Sequence, residues 1–202
     1  MRFAIGIGAR ILLSGNALLA QAVDVGVVGG IRTTGDFTGT GSSESKRYIV
    51  GPAVNIRLPK HLSAEVDALF QRSGYTAYEP AGESFENVRE RTNSWQFPVI
   101  LKYRLPVRLA HPFVGIGYAP RIVNGTDVWW GESAGCFCYV NGRSPAIYPV
   151  IQGLVVSGGV SFGTGHFLFT PEVRHTHWNA PYLGSYFVAS NEVSVLLGIR
   201  WH

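Results

Sequence analysis

Charged residues, cysteines and long apolar runs are all scarce in this chain of 202 residues. Only 15% of the residues are charged, and the lysines and arginines are scattered, which argues against a nucleic-acid partner. Beyond residue 22 no uninterrupted apolar run approaches the ~18 residues that a spanning helix needs, which argues against a helical membrane protein. A hydrophobic fraction of 46% is too high for a disordered chain.

Cysteine is limited to Cys136 and Cys138. Two thiols are too few ligands for a zinc site by themselves, and a disulfide spanning one residue is strained. We interpret the pair as a loop tether or as two ordinary thiols, with a redox or metal role as the alternative. We expect no metal and no cofactor.

The first 22 residues have the features of a cleavable export signal. Arg2 supplies positive charge, and an apolar stretch runs from Phe3 to Leu19. Ala20-Gln21-Ala22 then provides the small-x-small pattern of a cleavage site. We interpret residues 1–22 as a signal peptide and residues 23–202 as the folded domain. The alternative is an amphipathic first helix of a cytosolic domain.

Glycine and aromatic residues are abundant, at 25 glycines and 12% aromatics, which suits many strands joined by turns. Alternation of apolar with small or polar residues, typical of strands with two different faces, is clearest in the last segment, at Val193, Val195, Leu197, Ile199 and Trp201. Similar alternation begins at Val23, Tyr48, Leu62, Trp95, His111, Tyr148 and His166. Roughly eight segments of about ten residues result, and a tilted strand of that length can cross a bilayer.

The connections between these segments alternate strictly between long and short. The short ones are Pro59-Lys60, Leu105–Ala110 and Thr164-Gly165. The long polar ones are Thr33–Ser45, Ser73–Arg89, Asn124–Ile147 and Asn179–Ser190. This alternation is typical of an up-and-down barrel in an outer membrane, with short turns on the periplasmic side and long loops outside. The sequence therefore predicts an all-β fold, an eight-stranded antiparallel up-and-down transmembrane β-barrel.

The two faces of the strands differ in a way that favours a membrane barrel over a soluble sheet. One face is rich in glycine and alanine and carries charges of both signs, which suit a narrow lumen where they neutralise one another. The predicted lumen charge network consists of Asp24, Arg32, Arg57, Glu65, Asp67, Lys102, Arg104, Arg121, Glu172, Arg174, Glu192 and Arg200. An eight-stranded barrel is narrow enough for side chains to fill, so we expect a plugged lumen rather than a diffusion pore.

The other face is apolar, and aromatic residues near the strand ends suit the interfacial girdles of membrane barrels. These aromatics are Tyr48, Trp95, Tyr103, Phe162, Trp178 and Trp201. The structural alternative is a soluble periplasmic lipocalin-like barrel. Its apolar residues would point inward around a ligand, and the charges would face water.

The sequence resembles the small bacterial outer-membrane β-barrel families, the OmpA-like and OmpX-like eight-stranded barrels. The resemblance rests on Ala20-Gln21-Ala22, Trp95–Tyr103, Pro112–Tyr118 and Val193–Trp201. It implies a monomer in the cell outer membrane, exported through the periplasm, with membrane lipid and lipopolysaccharide as partners. It also implies recognition by the outer-membrane assembly machinery, which reads a terminal aromatic; here that residue is Trp201, followed by His202.

A possible catalytic motif runs from Arg174 to Ala180, followed by Glu192. It resembles the outer-membrane lipid A deacylase pattern, in which a His-x-Ser-Asn-Ala stretch and a later Glu form a hydrolytic triad. Aligned on Asn179-Ala180, the position of the family's serine nucleophile falls near His177, which is not a serine, and Thr176 lies on the opposite face from His175. We therefore expect a non-enzymatic protein, with a lipid A-modifying hydrolase as the alternative.

The longest predicted loop, Asn124–Ile147, is the expected element for surface interactions. It carries four aromatic residues, Trp129, Trp130, Phe137 and Tyr139. Exposed aromatics are common binding anchors. They are equally suited to packing the loop on itself or to resting on the lipopolysaccharide layer.

Overall fold

The structure, a computed structural model, describes most of the chain from residue 23 onward. The described ranges are 23–35, 41–81, 84–107, 110–133, 138–147, 150–164, 166–179, 182–183, 186–187 and 189–201. The predicted signal peptide, Cys136 and Phe137 lie outside these ranges. Within the described residues, no helix is long and apolar enough to cross a membrane.

The described chain consists of β-strands joined by turns and loops. In chain order the strands are β1 Val23–Arg32, β2 Gly41–Ser43, β3 Tyr48–Arg57, β4 Leu62–Asp67, β5 Leu69–Ala81, β6 Ser84–Gln96, β7 Val99–Arg104, β8 His111–Ser133, β9 Cys138–Ile147, β10 Ile151–Thr164, β11 Phe167–Trp178, β12 Tyr182–Leu183, β13 Tyr186–Phe187 and β14 Asn191–Trp201.

These strands close into an antiparallel barrel of eight strands, which confirms the predicted fold class. Three barrel strands are each built from two consecutive elements, namely β4 with β5, β6 with β7, and β9 with β10. The first and last strands pair in the register Val25↔Trp201 to Arg32↔Ser194, which closes the sheet. Since every barrel strand therefore has a partner on both sides, no edge is left within the barrel wall.

Short connections lie at one end of the barrel. Between β3 and β4 the chain reverses through Lys60 and His61, whose φ angles are 62° and 63°. Two consecutive residues with positive φ form a type I′ turn, whose twist matches that of a tight hairpin. At the turn between β10 and β11, the His166 ring stacks on Trp201 with ring centroids 5.6 Å apart.

Two of the four predicted long loops are instead paired strands. The segment Ser73–Arg89 forms a hairpin, because β5 and β6 stay paired as far as Ala81↔Ser84. In the segment Asn124–Ile147, β8 continues to Ser133 and pairs with β9. Both hairpins project beyond the apolar part of the barrel. Their sequences lack an apolar alternation, and the paired strands are held together by cross-strand hydrogen bonds.

Apolar side chains cover the outside of the barrel on every strand. Leu154 on β10 and Ile116 on β8 are each 65% exposed. Inside lie two clusters of buried apolar residues, one including Ile100 and Val155 and the other including Val28 and Leu196. Leu196, the exception to the alternation of the last strand, therefore contributes to the interior. A soluble lipocalin-like barrel requires the opposite arrangement, and the structure contradicts that alternative.

Candidate functional site

The predicted charged residues of the lumen lie on the inner face of the barrel wall. Strand alternation places them there, since residues two apart share a face. Arg57 and Arg104 are half-buried. The others are buried and comprise Asp24, Arg32, Glu65, Asp67, Lys102, Arg121, Glu172, Arg174, Glu192 and Arg200. Burying so many charges is costly unless each is paired, so their partners decide what the lumen can do.

Glu65 on β4 is the centre of the largest cluster and is 0% exposed. Its carboxylate accepts a hydrogen bond from Lys102 Nζ at 2.8 Å and one from Arg174 Nη2 at 3.2 Å. Arg200 donates to its other oxygen. Lys102 also donates to Glu172 at 2.6 Å. Each cation therefore has a carboxylate partner, as charge-assisted hydrogen bonding requires.

The cluster crosses the lumen from one wall to the other. Arg174 lies on β11, which pairs with β10 and β14, whereas β4 pairs with β3 and β7. Arg174 nevertheless reaches Asp67 on β4 at 2.9 Å. The three cations Lys102, Arg174 and Arg200 balance three carboxylates in formal charge, Glu65, Asp67 and Glu172. This balanced cluster places buried side chains of both signs across the interior of the barrel.

A second set of polar contacts lies closer to the projecting hairpins. Arg121 on β8 forms an ion pair with Glu192 on β14, which lies across the barrel from it. Gln96 donates to the other Glu192 oxygen at 3.3 Å. The Arg121 guanidinium lies 3.7 Å from the ring centroid of Trp178, a cation–π contact. Trp178 is thus a lumen residue that is 2% exposed, and its predicted place in the outer aromatic girdle is wrong.

A third pair lies near the short turns. Arg57 Nε donates to Asp24 Oδ2 at 3.1 Å, and Asn55 Nδ2 donates to the same oxygen at 3.0 Å. Asp24 is fully buried, while the Arg57 side chain is 38% exposed. The lumen is therefore lined by paired charges from the turn end to the hairpin end.

The residues of the hydrolase-like motif lie on opposite sides of the barrel wall. His175 and His177 are exposed on the outer face, and the His177 ring contacts Asn191 at 2.9 Å. Thr176 and Glu192 are buried in the lumen. A nucleophile and its base must come within hydrogen-bond reach, and this arrangement separates the histidines from the acid. In the described part of the chain, no group of histidine, cysteine and carboxylate residues could hold a metal ion.

Three of the four aromatic residues proposed for surface recognition lie in strands, and Phe137 lies outside the described residues. Trp129 and Trp130 lie in β8, and Tyr139 lies in β9. Trp129 faces Gly142 in the register, and the absence of a side chain at Gly142 leaves room for the indole, because a Cβ there would meet the ring. Val128 and the two tryptophans are strong strand formers, which explains why β8 continues through them. Trp129 therefore packs on its own hairpin.

Sequence reasoning missed a group of cations on the outer face of the β5/β6 hairpin. Lys46, Arg72, Arg89 and Arg91 line a cavity of about 500 Å³ together with Glu44. We call it the basic cavity. Its sequence signal is the polar alternation Arg89, Arg91 and Asn93 that leads into Trp95. The predicted loop ends at Arg89 and the predicted strand begins at Trp95, so this alternation is not recognised as part of a strand.

One carboxylate partly neutralises the basic cavity. Glu44 accepts hydrogen bonds from Arg89 at 2.6 Å and from Thr76 at 2.9 Å. Arg91 lies 3.5 Å from the same carboxylate. The hydrogen bond from Arg89 is the main reason that the pKa of Glu44 is lowered from its ordinary value. Glu44 therefore stays ionised, and four cations against one carboxylate leave a formal charge of +3.

Three solved structures are similar to this chain at low sequence identity. The N-terminal β-barrel domain of Pseudomonas aeruginosa OprF is 11% identical, with a TM-score of 0.45, and the match covers 89% of this chain and 96% of that one. Neisserial surface protein A is 14% identical, with a TM-score of 0.41 and coverages of 89% and 95%. Ail, the attachment invasion locus protein of Yersinia pestis, is 8% identical, with a TM-score of 0.37 and coverages of 89% and 95%.

No protein-family model and no curated protein matches the sequence. The likeness to the three solved structures concerns the fold alone. The function of this chain is therefore inferred from its own side chains.

Proposed function

We propose that the protein is a non-enzymatic outer-membrane β-barrel whose lumen is sealed and whose projecting hairpins serve a structural or surface-interaction role. The observation that carries this proposal is the inverted distribution of side chains. Leu154 and Ile116 are among the most exposed residues, whereas Glu65 and Asp24 are completely buried. A soluble monomer rarely exposes an apolar patch larger than a few hundred Å². Here the apolar surface continues around the whole wall.

The dimensions of the apolar surface fit a bilayer. On β14 the outward residues run from Val193 to Trp201, and the half-exposed or exposed apolar side chains alternate along the strand. A tilted strand of ~9–11 residues spans the hydrocarbon core. Trp201 and Phe167 contact each other edge to face at the turn end, with ring centroids 5.1 Å apart. This pair fits an interfacial girdle.

Contacts across the lumen support a sealed interior. Lys102 from β7 and Arg174 from β11 both meet Glu65 on β4, so side chains from separate parts of the wall meet inside. Lipids and lipopolysaccharide are the proposed partners of the outer surface. The assembly machinery is the proposed partner of the terminal strand, and the folded unit is proposed to be a monomer.

Conductance across a planar lipid bilayer tests the proposal. We expect the wild-type protein to give no stepwise current, because the cluster around Glu65 blocks the lumen. The variant Lys102→Ala/Glu172→Ala removes one cation and one carboxylate, so it widens the lumen without changing the formal charge. It should conduct weakly. Large current steps from the wild-type protein would contradict a sealed lumen, and protein extracted by salt without detergent would contradict the membrane location.

A further inference from the structure

We propose that the basic cavity binds the phosphate group of an anionic glycolipid, of the kind represented by lipid A of lipopolysaccharide, in the membrane leaflet beside the projecting hairpins. This inference rests on the proposed membrane location. It gives the general lipid partner a defined site, formed mainly by Lys46 and Arg72 with support from Arg91.

The cavity lies directly above an apolar pair on the outer face of the barrel. Phe70 and Trp95 face each other in the register of β5 and β6, with ring centroids 5.2 Å apart. One step towards the hairpin tip, Arg72 faces Asn93. Tryptophan side chains in membrane proteins favour the headgroup level, so Arg72 is expected at the height of the lipid phosphates.

Neighbouring backbone contacts bring Lys46 to the same level. The Lys46 amide donates to the Arg72 carbonyl at 3.0 Å, and the Glu44 amide donates to the Gly74 carbonyl at 2.7 Å. Lys46, Arg72 and Asn93 therefore form one row across three adjacent segments. In the next row, Gly74 stands between Glu44 and Arg91. A Cβ at Gly74 would lie 2.9 Å from the Glu90 carbonyl oxygen, so the close approach of the backbone at this point favours glycine.

The cations of the cavity differ in whether they have a carboxylate partner. Glu44 forms its shorter ion pair with Arg89 and lies farther from Arg91. Lys46 and Arg72 are both exposed, and neither forms an ion pair with a carboxylate in the described part of the chain. A phosphate is the anion that suits a lysine beside an arginine fork, since arginine donates to two of its oxygens at once. The position beside the membrane favours a lipid over a soluble anion.

The test measures binding of lipid A to the purified protein in detergent micelles. Binding is monitored by tryptophan fluorescence, because Trp95 lies next to the site. Three ligands are titrated separately: phosphorylated lipid A, lipid A with its phosphates removed, and inorganic phosphate. The variant Lys46→Gln/Arg72→Gln removes the row of cations. The control Arg47→Gln/Arg143→Gln removes the same charge from exposed residues that do not line the cavity.

We expect the wild-type protein to prefer phosphorylated lipid A over both other ligands, with affinity that weakens as salt rises. Each lost cation should weaken binding about fivefold, so the Lys46/Arg72 variant should bind on the order of 25-fold more weakly. The control should bind like wild type.

Equal losses in the two variants would overturn the site, because they would indicate binding to overall charge. Equal binding of dephosphorylated lipid A would overturn the phosphate assignment, and equal affinity for inorganic phosphate would overturn the lipid assignment. Mobility on a detergent gel before and after boiling reports the barrel separately. A variant that keeps the shift but loses lipid A affects the site alone, whereas a wild-type protein without the shift contradicts the proposed function itself.

Discussion

Replacing Glu65 by glutamine should destabilise the barrel more than any comparable surface change, because this carboxylate compensates three buried cations. The side chain of glutamine has nearly the same volume, so the substitution removes charge without creating a cavity. Lys102 keeps its contact with Glu172, and Arg174 keeps its contacts with Glu172 and Asp67. Among the described residues, the side-chain hydrogen bond that Arg200 keeps is the one it donates to Thr170, at 3.2 Å. The cost falls mainly on Arg200.

The expected magnitude follows from that uncompensated charge. Removing one partner of a buried ion pair typically costs about 3–5 kcal/mol. The free energy of unfolding of Glu65→Gln should therefore fall by about that amount in urea titrations of protein folded into phosphatidylcholine vesicles. The double variant Glu65→Gln/Arg200→Gln restores the charge balance, and it should recover much of the loss. As a surface control, Glu44→Gln should cost about 0–1 kcal/mol.

Two results would refute this reasoning. If Glu65→Gln stayed within ~1 kcal/mol of wild type, the cluster would not depend on charge balance. If the two single losses at Glu65 and Arg200 simply added in the double variant, the two side chains would be energetically independent, in spite of their contact.

Three further predictions concern the outer wall, the inner wall and the hairpin. Leu154→Arg places a cation in the apolar surface and should cost about 2–4 kcal/mol in the same urea assay if that surface contacts lipid; a neutral effect would contradict this. Gly117→Ala puts a Cβ 2.8 Å from Ile100 Cα and should lower the free energy of unfolding by about 1–3 kcal/mol. An unchanged midpoint of the urea titration would show that the two strands move apart at no cost. Wild type should exceed Glu44→Gln in stability at neutral pH, and the difference should vanish on acidification.

The sign of the pH effect follows from the direction of the shift. The pKa of Glu44 is lowered in the folded protein, first of all by the hydrogen bond from Arg89. Its stabilising contribution is therefore complete above the ordinary pKa of glutamate and is lost as the pH falls through the lower folded value. Comparing wild type with Glu44→Gln at each pH cancels the titration of the other carboxylates. A difference that grew on acidification would contradict the assignment.

Much of the barrel could be predicted from the sequence, because alternation and turn spacing report directly on two-faced strands. The last strand is an example, since Val195, Leu197 and Ile199 face outward as predicted. The hairpin extensions could not be predicted, because these strands lie beyond the apolar outer surface and their sequences carry no apolar alternation. The prediction of an outward-facing Trp178 is wrong because an aromatic residue near a strand end suits either an interfacial girdle outside the barrel or a cation–π contact inside it.

The contacts across the lumen could not be predicted from the pattern. Arg174 and Glu65 are 109 residues apart, and they meet because of the stagger of strands that are not neighbours. Alternation indicates that both face inward but does not give their relative height. The basic cavity was missed for a related reason, since it combines a row from three segments whose register the sequence does not fix. The signal peptide stays a prediction.

We propose that the apolar wall of the barrel faces lipid and surrounds a closed, charge-filled interior. The most direct test expresses the full chain in a Gram-negative host, isolates outer membranes and compares boiled with unboiled protein on a detergent gel. We predict a detergent-extracted band in the outer-membrane fraction whose mobility shifts on boiling, because a closed barrel resists detergent until it is heated. A soluble periplasmic band with no shift would contradict the account.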